Sequence, residues 1–194
     1  MVTLTTPPAP TTTRSWTRVL PFAAAGILFV AYPVLRPWGD STPATTGEAF
    51  GSPLWLVAHL SAAVGFVLVA YGLWAARERL VLGLWWAGAS LTLLYYGSEA
   101  FALHALAGQP DVVALADTVR NGATQLTVFG AGLVLMAAAA VVLAVRLRAV
   151  ALPFALGMVL FLPQFFAGPE LRIAHGVLLG VGCLLLALRR PAAA

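Results

Sequence analysis

His59, Glu99, His104 and His175 are the residues whose chemistry needs an explanation. Each lies within or beside a long apolar stretch, where an ionisable group is costly unless it has a partner. His59, Glu99 and His175 together have the composition of a catalytic zinc site, or of a site for another divalent metal. Two imidazoles and one carboxylate leave a fourth position for water. In that reading Glu99 ligates the metal or acts as general base toward a metal-bound water, and the chain is an intramembrane metal-dependent hydrolase. No HExxH-type local motif supports it, because the three groups come from three separate apolar runs.

Other chemistries use the same residues. His59 and His175 could be the axial imidazoles of one haem b. A two-haem, bis-histidine arrangement would need four histidines, and the chain has three. Gly176, Gly180 and Gly182 would leave room beside a macrocycle, or serve as a small-residue face for close helix packing. A small apolar or amphipathic ligand, such as a quinone or a lipid headgroup, could lie among Tyr95, Tyr96, Phe101, Phe165 and Phe166. His104, Gln164 and Arg172 would supply polar contacts around it. Glu99 with the histidines could also relay protons or sense external pH. The structural alternative pairs Glu99 with Arg172 or a histidine and leaves each histidine hydrogen-bonded in the core. The chain is then a non-catalytic structural or assembly subunit. The favoured reading is a binding or redox protein holding a metal, a haem or a small ligand.

The elements that must position these groups follow from composition. Of 194 residues, 61% are hydrophobic and only 9% are charged, with a mean hydropathy of +0.92. A soluble domain carries about 25% charged residues, so this chain cannot cover a water-facing surface. All basic residues are Arg, which excludes a retinal or pyridoxal Schiff base and a Walker lysine. Cys183 is the only cysteine, which excludes intrachain disulfides and CxxC chemistry. The +4 charge comes from arginines at the ends of apolar runs, so no nucleic-acid partner is read from it.

The pattern predicts an all-α integral membrane protein: a disordered tail over 1–13, then one six-helix transmembrane domain over 14–190. The predicted helices are 17–35, 52–76, 80–107, 123–147, 149–167 and 170–189, each close to the ~20 residues that span a bilayer. The first run exceeds the about 7–15-residue core of a signal peptide, so it reads as a retained anchor. The stretch DVVALADTVR between helices 3 and 4 reads as a short surface helix.

Arginines alternate along the chain: Arg14 and Arg18, then Arg36, then Arg77 and Arg79, then Arg120, then Arg146 and Arg148, then Arg172, then Arg189 and Arg190. Eight lie on one side and three on the other. The positive-inside rule places the eight, and both chain ends, in the cytoplasm. Trp16, Trp74, Trp85 and Trp86 then form an inner aromatic belt, with Trp38 and Trp55 in an outer one. The implied location is the cell membrane, a bacterial inner or plasma membrane. The partners are the lipid bilayer and a homo-oligomeric or membrane-complex partner.

This topology puts every histidine and Glu99 in the outer half. Thr92, Tyr95, Tyr96 and Glu99 share one helical stripe, which should face the bundle. His104 is five residues beyond Glu99, roughly 140° around a regular helix. Pro163 removes a helical hydrogen bond at Val159 and predicts a kink beside a cavity.

Overall fold

Five of the predicted runs fold as long apolar helices. The computed structural model describes residues 16–189. The predicted tail over 1–13 and the extreme ends of the 14–190 domain lie outside the described residues. The long helices are α1 (Trp16–Leu35), α3 (Pro53–Ala75), α4 (Arg79–Gly97), α7 (Ala123–Leu147) and α9 (Pro169–Leu188). A π-helical segment, Ser98–Ala102, continues α4 into the short α5 (Leu103–Leu106). All five are long and apolar enough to cross a membrane. No strand occurs among the described residues. The start of α3 shows why a boundary falls where it does. The Ser52 side chain accepts the Leu54 N–H, and Pro53 occupies the first turn, where its missing N–H has no helical partner to lose.

The run over 149–167 is not one helix, contrary to the prediction. It divides into α8 (Leu152–Val159), a turn, and a 3-10 segment, Pro163–Phe166. Pro163 has no N–H to give to Val159. The turn before it tightens, and the Phe161 N–H reaches the Met158 carbonyl at 3.3 Å rather than that of Gly157. The two pieces still run antiparallel along α9: Phe154 lies against Gly182, and the Phe161 ring meets the His175 ring at 5.2 Å.

Helices cross closely where both partners are glycine. A Cβ on Gly88 of α4 would lie 2.6 Å from the Gly132 carbonyl oxygen of α7. A Cβ on Gly26 of α1 would lie 3.0 Å from the Gly180 carbonyl oxygen of α9. Gly176, Gly180 and Gly182 are thus consumed by backbone approach to α1 and α8 and leave no slot for a macrocycle. Between the helices Phe29, Phe66, Trp85, Met136, Phe154 and Phe161 are fully buried. Ile27, Val134, Val145 and Leu171 are exposed, on surfaces that lipid chains would cover. The aromatic belt needs correction at two positions. Trp16 and Trp74 are exposed, whereas Trp55 and Trp85 are completely buried.

One end of the helices carries a cap. It comprises the 3-10 segment Trp38–Ser41, α2 (Thr46–Gly51) and α6 (Val112–Asn121), the last being the predicted surface helix. Phe50, Trp55, Leu103 and Ala116 form a small core beneath it.

Candidate functional site

The site is built on the irregular stretch after α4. In the π-helical segment the Leu103 N–H reaches back five residues, to the Ser98 carbonyl. A regular helix would have sent it to Glu99. The Glu99 carbonyl is therefore free, and the Trp55 indole N–H donates into it at 2.7 Å. Such π-bulges concentrate at functional sites. The same tryptophan positions His59, which lies one turn along α3. The His59 ring stacks near Trp55 with centroids 4.3 Å apart, and its Nδ1 donates to the Trp55 carbonyl at 2.7 Å. A carbonyl can only accept, so Nδ1 carries a hydrogen, and Nε2 is the nitrogen that faces Glu99. Nε2 lies 3.6 Å from Glu99 Oε2, too far for a direct hydrogen bond.

The Glu99 carboxylate is held from the cap. Arg120 of α6 donates Nε to Oε1 at 2.8 Å and Nη2 to Oε2 at 3.1 Å. Nη2 also reaches Asp40 Oδ2 at 3.0 Å, and Arg36 Nη2 donates to that same oxygen at 2.7 Å. Two guanidinia and two carboxylates form one alternating chain. Burial pulls the Arg120 pKa down, but Glu99 and Asp40 more than reverse this and hold it above the ordinary arginine value. Arg36 and Arg120 also lie over the Trp55 ring, at 4.9 and 5.6 Å from its centroid.

Arg172 enters from α9 and is held differently. Its Nε donates to Gln164 Oε1 at 3.0 Å, and its guanidinium lies over the Trp38 and Phe165 rings at 4.9 and 5.0 Å. Among the described residues it has no carboxylate at ion-pair distance.

These groups surround a cavity of about 410 Å³, within the range of about 300–1,000 Å³ typical of small-molecule sites. The polar lining is Arg36, Asp40, His59, Glu99, Arg120, Asn121 and Arg172. The apolar lining is Leu126, Phe129, Gly130, Leu162, Phe165 and Phe166, and the two kinds of lining meet where the Arg172 guanidinium lies over the Phe165 ring. Tyr32, Tyr95 and Tyr96 complete the lining. A larger hollow, about 650 Å³, lies at the other end of the helices beside Trp74 and Arg79, remote from every histidine.

The predicted residues divide sharply. His59 and Glu99 meet, and Tyr95, Tyr96, Phe165, Phe166 and Arg172 join them at the cavity. Tyr95 stacks on Phe129 at 4.1 Å. Gln164 is buried behind the wall and orients Arg172. Phe101 is exposed and does not line the cavity. His104 donates Nδ1 to the Phe50 carbonyl at 2.7 Å and pins α2 to α5. His175 donates Nε2 to the Gly157 carbonyl at 2.7 Å, the acceptor left free by the break after α8. That contact lies between α8 and α9, outside the cavity lining. The set His59, Glu99, His175 is therefore not assembled. Among the described residues no three His, Cys, Asp or Glu side chains gather as a metal centre requires. A haem sandwiched between His59 and His175 fails on the same placement, since His175 turns its Nε2 to the backbone. Tyr32, Arg36, Asp40 and Arg120 also line the cavity and are absent from the predicted site, although the sparseness of arginine outside the paired loops marks two of the four, Arg36 and Arg120.

The helices and cavity define a class: an all-helical membrane protein with five candidate spanning helices and a charged, aromatic pocket at one end. No family model, no curated protein and no solved structure matches the chain.

Proposed function

We propose that the chain is a multi-pass cell-membrane protein that crosses the bilayer six times, with both ends cytoplasmic, and that its pocket binds a small amphipathic ligand. The paired arginines support the orientation, since Arg77, Arg79, Arg146 and Arg148 all lie at the end away from the cap. The pocket then sits in the outer half. α8 with its 3-10 extension is the sixth crossing. Its Phe154 packs on Trp85 and its Phe165 on Phe129, so the segment runs lengthwise between neighbouring helices.

The cavity's mixed lining, charged and apolar, carries the ligand reading. The polar part offers guanidinia, carboxylates and an imidazole. The apolar part includes residues open to the lipid-facing surface, Phe166 at 90% and Leu126 at 48% exposed. A ligand with a polar head and an apolar tail matches both kinds of lining and can enter sideways from the bilayer.

The test is a plugged pocket. A Cβ added at Gly130 meets nothing within 4 Å, so Gly130→Phe places a ring in the cavity without displacing backbone. Wild type and variant are purified in nanodiscs, and their organic extracts are compared by mass spectrometry. Wild type should carry one amphiphile in stoichiometric amount, and the variant should lack it while melting at the same temperature. Identical extracts would overturn the reading.

A further inference from the structure

We propose that the ligand's head is a singly charged oxyanion, a carboxylate or phosphodiester on an apolar chain, and that Arg172 receives it. This inference rests on the pocket reading above. Charge balance is the first observation. The cavity is lined by three guanidinia and two carboxylates. Asp40 and Glu99 are matched by Arg36 and Arg120 through the four hydrogen bonds of the alternating chain. Arg172 remains. It stands in a spanning helix, where an unbalanced cation is costly. Rings flank it, and Nε is spent on Gln164. No hydrogen bond within the described residues uses its terminal nitrogens. Those nitrogens form the planar fork that matches a carboxylate or phosphate.

The second observation is independent. The Tyr96 hydroxyl is buried, lines the same cavity and makes no hydrogen bond of normal length, with the Tyr32 side chain packed beside it. A buried hydroxyl that lacks such a bond costs free energy, and an oxyanion held by Arg172 would accept from it. Beyond this pair the wall turns apolar through Phe165, Leu162 and Phe166 toward the bilayer, which gives the chain its path. A cationic head would meet three guanidinia there, and a neutral alcohol would leave Arg172 unbalanced.

The full chain in phosphatidylcholine nanodiscs is titrated with laurate, phosphatidylglycerol, dodecanol and dodecyltrimethylammonium, with bound stoichiometry read by native mass spectrometry. Laurate, phosphatidylglycerol or both should bind one per chain, at least about tenfold tighter than dodecanol, with no binding of the cation. Laurate alone would identify a free acid, and phosphatidylglycerol alone a membrane lipid. Arg172→Gln should weaken the anion about tenfold or more and leave dodecanol unchanged. Tyr96→Phe should weaken it less, and its result stands should Arg172→Gln fail to fold. Equal binding of laurate and dodecanol to wild type, or undiminished anion binding by Arg172→Gln, would overturn the charge assignment while sparing the pocket. Failure of every alkyl probe would overturn both.

Discussion

Arg120 forks onto Glu99 with two hydrogen bonds, at 2.8 and 3.1 Å, from a helix that lies outside the spanning segments to a carboxylate within one. This pair joins the cap to the floor of the pocket. It also decides what Glu99 can do. With both oxygens engaged, the carboxylate serves as a fixed charge and holds α6 over the cavity.

Removing Arg120 leaves the buried Glu99 carboxylate without its guanidinium, and neutralising Glu99 leaves Arg120 only its Asp40 contact. Arg120→Met and Glu99→Gln should each lower the unfolding free energy, by about 2–4 kcal/mol. The double variant should lose less than the sum, by at least about 1 kcal/mol. Unfolding in SDS–detergent mixtures measures all three. Additive losses would show that the two side chains do not act as a unit.

Trp55 links backbone irregularity to side-chain placement. Trp55→Phe keeps the ring but leaves the Glu99 carbonyl without the donor that the π-turn requires. Stability should fall by about 1–3 kcal/mol, and amide exchange should quicken over 98–103. Trp85→Phe is the matched control, because its indole also donates to a carbonyl, Phe66 at 2.9 Å, but far from the bulge. It should lower stability without touching exchange over 98–103. Equal effects of the two variants on that segment would separate Trp55 from the π-turn.

How much of this was legible in the sequence depends on what a residue type reveals alone. The five long helices were legible because uncharged length is itself the signal. The stripe Thr92, Tyr95, Tyr96, Glu99 faced inward as predicted, with Thr92 and Tyr96 buried, because a lipid-facing carboxylate is too costly. His104 and His175 lie outside the cavity lining, which the sequence does not reveal, because an imidazole beside a cavity and one bonded to a freed carbonyl look alike in sequence. The acceptor for His175 exists only because the run breaks after α8, and Pro163 indicates a break without saying which carbonyl it releases. Arg36 and Arg120 were read as loop charges that set orientation. Their meaning lay in being exceptions. The three arginines that oppose the paired loops all line one cavity.

The close crossing of α4 and α7 sets the width of the bundle beside the pocket. Gly88→Ala places a methyl 2.6 Å from the Gly132 carbonyl oxygen, and neither backbone can rotate away. It should destabilise by about 1–3 kcal/mol as an overpacked contact. Gly83→Ala, on the same helix, meets nothing within 4 Å and should be neutral or slightly stabilising through helix propensity. Thermal melting of the two purified variants distinguishes them. Equal melting temperatures would mean that the helices do not cross at Gly88.

Crossing number and orientation can be read with one chemistry. Cys183 is fully buried, so the native chain should not react with a membrane-impermeant maleimide in intact cells. Three exposed sites then report on three turns: Gly108, Arg148 and Glu170. Gly108→Cys lies beside the cap and should be labelled from outside. Arg148→Cys lies in the turn between α7 and α8 and should be labelled only after permeabilisation. Glu170→Cys decides the sixth crossing. If α8 and its 3-10 extension cross the bilayer, position 170 is outside and reacts like position 108. If the segment dips in and returns, position 170 reacts like position 148, and the five-span count stands. Reversal of the 108 and 148 pattern would invert the orientation and put the pocket in the inner half.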